Sequence, residues 1–338
     1  MVRLSTYYKL LSPDYPEWLD EYIATPRMQK QAGISVTCGT CYTDLFPGST
    51  FYSSLDHSIA VALIVWHFTH DRKQALAGLF HDIATPAFKH CVDFMNGDYM
   101  TQESTEELTT KFIEESPGIM KLLKRDKIKV SEVDNYHLYP IADNDTPQLS
   151  ADRLEYSMSN AIYTYTKDAV DFEAIRDIYN DIEVQKNPDG VDELGFKTKK
   201  HARELVKYTS RLSVIYREDR TRYSMQFVAD ILKKLSEEGQ ITVANLYEMS
   251  EKDVIRLIEH SKYGKIFKIW RKTKKVKQAK TKPKGVYYVY HPAKIRYIDP
   301  LFKGERISKQ CKIAAKAIEK NLSYDMDYYV FIDEIPEF

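Results

Sequence analysis

The chain has 338 residues, 43% of them hydrophobic, enough to bury a sizeable core in one large domain or two. Lys plus Arg and Asp plus Glu both number 49, so the formal net charge is zero and no global field directs the chain to nucleic acid or membrane. Four cysteines (Cys38, Cys41, Cys91 and Cys311) are too few for a disulfide scaffold at this length. No apolar run approaches the ~20 residues of a membrane span, and the N-terminus lacks the apolar block and cleavage site of a signal peptide. A cytoplasmic protein without membrane contact is expected.

Helical periodicity dominates. Ile59, Leu63, Trp66 and His70 share one face of a helix beginning near Leu55. A short helix is predicted over 73–83, and Pro86 suits the first turn of a third. Pro117-Gly118 splits the stretch 103–125. Leu149, Leu154, Met158, Ile162 and Tyr163 mark a helix over 148–166, and a long helical pattern covers 199–235. Between these two, 182–184 and 193–197 read as strands around the turn Asn187-Pro-Asp-Gly190, a hairpin. Beyond residue 261 the pattern changes: 285–291, 295–298 and 328–332 read as strands, with a helix over 307–320. The expected fold is mainly α, a helical bundle over 1–260, with a basic segment and small α+β appendage over 261–338.

Three passages carry potential chemistry: Leu55-Asp-His57-Ser, Leu79-Phe-His81-Asp82-Ile and Ser150-Ala-Asp152-Arg153-Leu-Glu-Tyr156. Each sets a metal-binding side chain beside apolar residues that face a core. Adjacent helical residues lie about 100° apart, so His81 and Asp82 reach one ion only from beside it, and further ligands must come from other helices. Two imidazoles with two carboxylates, His57, His81, Asp82 and Asp152, make a borderline-to-hard site suited to one divalent Mn, Fe, Ni or Zn, or to Mg.

The order His, His-Asp, Asp in a helical chain resembles the HD superfamily of metal-dependent phosphohydrolases. Ile23-Ala-Thr-Pro-Arg-Met-Gln29, Phe46-Pro-Gly-Ser49, the run from Ala77 to His90 and Ala151-Asp-Arg-Leu-Glu-Tyr156 are similar to deoxynucleoside triphosphate triphosphohydrolases, and Lys294-Ile-Arg-Tyr-Ile-Asp-Pro300 has the same family look. The likeness covers about 22–159 well and the remainder loosely. It implies an HD-domain bundle in which the four ligands hold the ion and Arg153 and Tyr156 meet phosphate and sugar; the residues themselves offer Lys89 and His90, on the following helix, to serve catalysis with Asp82, and Gln102 as a further substrate contact. Three phosphate-handling positions depart from that family: Thr85 and Gln102 stand where histidines are usual, and Ser54 where an arginine is. The expected function is therefore metal-activated hydrolysis of a nucleotide or related phosphoester or phosphoanhydride, rather than release of intact triphosphate. The alternative is a non-catalytic HD-fold metal-binding regulatory or nucleic-acid-binding protein.

Other signals weigh less. Cys38-Gly-Thr-Cys41 has no second cysteine pair to complete a zinc cluster and reads as two incidental thiols. His67 and His70 lack a third ligand and read as a polar helix end. From Lys262 to Lys284 there are 11 Lys or Arg in 23 residues and no acid, with Tyr263, Phe267 and Trp270 interleaved; this suits nucleic acid or polyphosphate, or a solvated helix with its aromatics packed inward. The chain holds 25 tyrosines, many in the C-terminal strands, which read as core or oligomer interface, and a homo-oligomer is expected.

Overall fold

A computed structural model describes residues 2–98, 100, 108–165 and 171–338. Its centre is the helix Ser54–Thr69. Ser53 and Asp56 form a reciprocal capping box at its start, and almost every residue from Ser54 to Val65 is buried. A helix this apolar on all sides must be surrounded, and it is: Leu4–Leu11, Arg72–Phe80 and Ala151–Ser159 pack around it. Gly78 permits the closest of these approaches. A Cβ there would stand 3.3 Å from Val61 and 3.4 Å from Val65.

A second core gathers the helices Asp219–Glu237, Glu251–His260 and Gly264–Lys272. The short helix Cys91–Met95 packs on the first of these, so the chain after His81-Asp82 runs directly from one core to the other.

Among the described residues, seven short strands complete the fold: β1 (Ile182–Lys186), β2 (Asp192–Phe196), β3 (Lys277–Ala279), β4 (Tyr288–Val289), β5 (Leu301–Phe302), β6 (Glu305–Arg306) and β7 (Tyr329–Phe331). The first sheet has the order β1-β2-β5-β6, with β2 and β5 parallel; the second is antiparallel, β3-β7-β4. The protein is thus mainly α with a small α+β part. Residues after 261 serve both cores: β5, β6 and the helix Lys312–Leu322 join the hairpin and the helix Lys199–Ile215, while β3, β7 and β4 cover Asp219–Glu237.

The departures from periodicity have local causes. The long pattern 199–235 breaks at Tyr216–Glu218, because the wholly buried Arg217 reaches across to Asn321 and donates to its backbone and side-chain oxygens. The helix beginning at Ala151 ends in a π-helical turn, Asn160–Thr164, a form that recurs at functional sites. Pro86 opens no helix. The N–H of Ala87 is taken by the Leu246 carbonyl and that of Phe88 by Glu251, so the chain turns sharply, with Phe88 and Lys89 both left-handed (φ 65° and 44°). Consecutive non-glycine residues in that region are strained and persist only when surrounding contacts enforce them. Residues 295–298, read as a strand, are extended without a ladder partner.

Candidate metal centre

Three helical segments deliver the candidate ligands. His57 lies in the first turn of the central helix, Asp152 in the first turn of Ala151–Ser159, and His81 and Asp82 in the turn that follows Arg72–Phe80. The helix predicted over 73–83 stops at Phe80, which frees both side chains of the pair to face the same space; the Gly78 carbonyl, released at the helix end, accepts the His81 Nδ1 hydrogen at 2.7 Å.

The donor atoms converge. His57 Nε2 is 3.2 Å from His81 Nε2 and 3.1 Å from Asp152 Oδ1, and His81 Nε2 is 3.7 Å from the same oxygen. His57, His81 and Asp152 each offer an atom within 4.8 Å of the others. Asp82 Oδ2 stands farther out, 3.9 Å from both Nε2 atoms, drawn toward the Lys89 ammonium at 2.5 Å and near the Ser54 hydroxyl at 3.5 Å.

The tautomers follow from the outer contacts. His57 Nδ1 binds the Glu155 carboxylate, and His81 Nδ1 the Gly78 carbonyl, so both Nε2 atoms present lone pairs toward one another and toward Asp152. Such a set is repulsive unless a cation, a proton or a metal ion, sits among the atoms. The electrostatics agree. Burial opposes charge on His57, yet the Glu155 and Asp152 carboxylates outweigh it and push the imidazole up to about 10. Burial is likewise outweighed at Asp152, which His57 and His81 lower to about 2, and at Asp82, which Lys89 and both histidines hold far below the usual carboxylate range.

Glu155 is the residue that pattern reading passed over. It is fully buried and accepts hydrogen bonds from Tyr7 (3.1 Å), Tyr52 (2.8 Å) and Ser159 (3.3 Å) besides His57. Its spacing, three residues after Asp152 on one helix, was the available signal.

The site forms the floor of a cavity of about 470 Å³. Lys89 and His90 both line it, though from the turn and the cap before Cys91–Met95 rather than from a helix. Lys89 is not a solvated surface lysine, since its side chain is only 10% exposed and paired with Asp82. His90 Nδ1 is bound to Asp93 at 2.8 Å. Tyr156 lines the wall, its phenol raised by burial to about 12. Arg153 lines it too, but its guanidinium is engaged by Asn144 (2.6 Å to Oδ1) and Asp143 (3.3 Å). Gln102 lies outside the described residues. Thr85 is buried away from the cavity, with its carbonyl accepting from Lys30 at 2.8 Å. From far along the chain, Lys294 and Arg296 enter the wall. The passage Lys294–Pro300 carries a family look in the sequence, but nothing local assigns these two residues to the site.

The remaining candidates resolve simply. Cys38 and Cys41 are free thiols, raised by burial to about 11, which makes them poor nucleophiles. His70 caps its helix and pairs with Asp14 at 2.9 Å. Tyr263, Phe267 and Trp270 are buried in the second core, so they are not available to stack on bases. Among the described residues no helix is long and apolar enough to cross a membrane.

No family model and no curated protein matches the sequence. Solved structures do. A hypothetical protein from Aquifex aeolicus aligns over 94% of this chain and 93% of its own, with a TM-score of 0.63 and 16% identity. A phosphohydrolase from Bacteroides thetaiotaomicron aligns over 94% and 96%, with a TM-score of 0.62 and 13% identity. The fold of this chain is therefore one that a phosphohydrolase also uses, over nearly the full length of both.

Proposed function

We propose that the chain is an HD-superfamily metal-dependent phosphohydrolase that cleaves a nucleotide or related small phosphoester or phosphoanhydride. The observation that carries this reading is the convergence of His57 Nε2 and His81 Nε2 on Asp152 Oδ1 at the floor of a cavity lined by Lys89, Lys294 and Arg296. His57, His81 and Asp152 would hold one divalent ion, with Asp82 as the fourth ligand after a small shift away from Lys89. Bound there, the ion lowers the pKa of a water and polarises a phosphoryl oxygen. Lys89, Lys294 and Arg296 supply positive charge for the phosphate oxygens. His90, beside Lys89 in the wall, would protonate the departing oxygen as water's oxygen bonds to phosphorus and the ester bond breaks. Arg153, held by Asp143 and Asn144, acts as a fixed part of the wall beside Tyr156.

A second reading rests on the Lys89–Asp82 pair. An internal ammonium already satisfies one of the four ligands, which suits a metal-binding protein without turnover. Metal analysis of the purified protein, followed by a phosphate-release screen over nucleoside monophosphates, triphosphates and phosphodiesters with added Mn, separates the two. Turnover dependent on the ion is expected. Stoichiometric metal with no hydrolysis of any phosphate would leave the second reading, and absence of bound metal at any concentration would remove both.

A further inference from the structure

The outer face of the β3-β7-β4 sheet gathers aromatic and cationic side chains. Strand alternation sends Tyr287, Val289, Val330 and Ile332 into the second core, where all are buried. The register Lys277↔Phe331↔Tyr288 and Ala279↔Tyr329 then sets Tyr288, Tyr329 and Phe331 on the opposite face, joined by Tyr290 just past the end of β4. Tyr290 and Tyr329 stack with ring centres 4.5 Å apart and planes 22° from parallel. Tyr288 meets Tyr329 edge-on at 5.3 Å. Tyr290 is 49% exposed, and its hydroxyl is tied to Asp327 at 2.6 Å, which fixes the ring while leaving it at the surface.

Cations frame this platform. Lys282 lies over the Tyr288 ring at 5.0 Å, and Lys277 projects from β3 in register with Phe331 and Tyr288. Acids answer some of this charge: Asp333 pairs with Lys277, and Asp325 with Lys280 at 3.6 Å. Lys274 and Lys275 before β3, and Lys284 after it, are exposed and have no side-chain partner among the described residues. The segment from 262 to 284 contains no acid at all.

We propose that this sheet face binds single-stranded nucleic acid, with a base added to the Tyr290–Tyr329 stack at the exposed Tyr290 ring and the phosphate backbone along the flanking lysines. The site is independent of the metal-centre reading. Aromatic faces accept any base, so a base stacked on Tyr290 is held without regard to its identity. Duplex bases are already stacked on one another, so an exposed ring has no access to their faces. That geometry selects a single strand over a duplex, and the aromatic rings select nucleic acid over a plain polyanion.

The test uses the full chain and a labelled 20-nucleotide oligo-uridine RNA, with binding followed by fluorescence anisotropy over a KCl series. Tyr290→Leu with Tyr329→Leu keeps apolar area but removes the ring faces; affinity is expected to fall by about 5-fold or more. Lys274→Gln with Lys275→Gln and Lys284→Gln, all at exposed positions, tests the charge separately should the tyrosine pair fold poorly. It is expected to reduce the slope of log K against log salt by about 2. Phosphate release by both variants should match the parent. The proposal is overturned if the parent fails to bind at low salt, if duplex RNA binds as well as the single strand, or if neither set of substitutions changes affinity. A tyrosine variant that changes the sedimentation mass while keeping its RNA affinity would also overturn it, and would make the face a contact between copies.

Discussion

Glu155 and His57, 98 residues apart in sequence, meet through a buried carboxylate–imidazole hydrogen bond that decides which nitrogen of His57 faces the metal centre. Three further donors, Tyr7, Tyr52 and Ser159, hold that carboxylate in place. Its removal therefore acts on the ion without touching it. Glu155→Gln is expected to weaken metal binding by about 10- to 100-fold, as for other outer partners of ligating histidines. A chelator-competition titration would measure this. Unchanged affinity would mean that His57 keeps its tautomer by other means. Glu155→Ala should be worse, because it leaves buried hydroxyls unsatisfied, at a cost of about 1–3 kcal/mol for each.

Loss of a direct ligand should be plainer. His81→Ala and Asp152→Ala are expected to lose bound metal altogether and to melt earlier than the parent, since binding free energy is part of folding free energy. Adding chelator to the parent should lower its melting temperature toward theirs. Metal analysis with thermal unfolding checks both, and full occupancy in either variant would remove that residue from the ligand set.

Lys89 distinguishes turnover from mere binding. Lys89→Met keeps most of the buried side-chain volume but deletes the ammonium beside Asp82. Asp82 is then released toward the two histidines, so metal occupancy should hold or rise. Phosphate release should fall by about 100-fold or more if the ammonium steadies developing charge on the phosphate. Equal activity in parent and variant would confine Lys89 to a structural part.

The substrate should follow the altered wall. Thr85 does not face the cavity, and Ser54 spends its hydroxyl on Asp82, so neither replaces the cations that would grip a triphosphate chain. Release of intact triphosphate from dGTP is expected to be weak, and hydrolysis of a monophosphate or phosphodiester higher. A product assay that separates phosphate from triphosphate decides this.

The convergence of His57, His81 and Asp152 was foreshadowed because each sits in a short apolar passage whose helical setting could be read locally. What escaped was set by contacts distant in sequence. The turn at Phe88 and Lys89 is left-handed because Leu246 and Glu251 take its N–H groups, and no window around Pro86 contains either residue. Arg217 breaks a continuous helical pattern because its partner is Asn321. Lys294 and Arg296 reach the cavity from a segment that has strand composition but no ladder. The tyrosines of β4 and β7 divide between core and surface by alternation, which only the register reveals. In the basic segment the charges are exposed while Tyr263, Phe267 and Trp270 build the core, so its aromatic and cationic residues, interleaved in sequence, separate in space.

Glu251 ties these parts together, and its acid–base behaviour gives a sharp stability test. Wholly buried, it accepts from Tyr42 at 2.8 Å and from the Phe88 N–H at 3.3 Å, anchoring the turn that presents Lys89. Burial pushes its carboxyl up to about 7, and the bonds from Tyr42 and from the Ser35 and Phe88 backbones only partly offset this. A raised acid holds its proton in the folded state while the unfolded chain, near the ordinary value of 4.5, has already lost it. Stability from this group is therefore full below about pH 4.5, declines as pH rises, and above pH 7 carries a penalty on the order of 3 kcal/mol. Glu251→Gln keeps an acceptor for Phe88 and offers an amide to the Tyr42 oxygen, but cannot ionise. The variant should match or fall slightly below the parent at pH 5 and exceed it at pH 8. Chemical denaturation of both proteins from pH 5 to 8 measures the difference, in which all other titrating groups cancel. Parallel curves across that range would show that Glu251 is charged at no cost in its buried setting, and that Tyr42 and the two backbone N–H groups suffice to hold it.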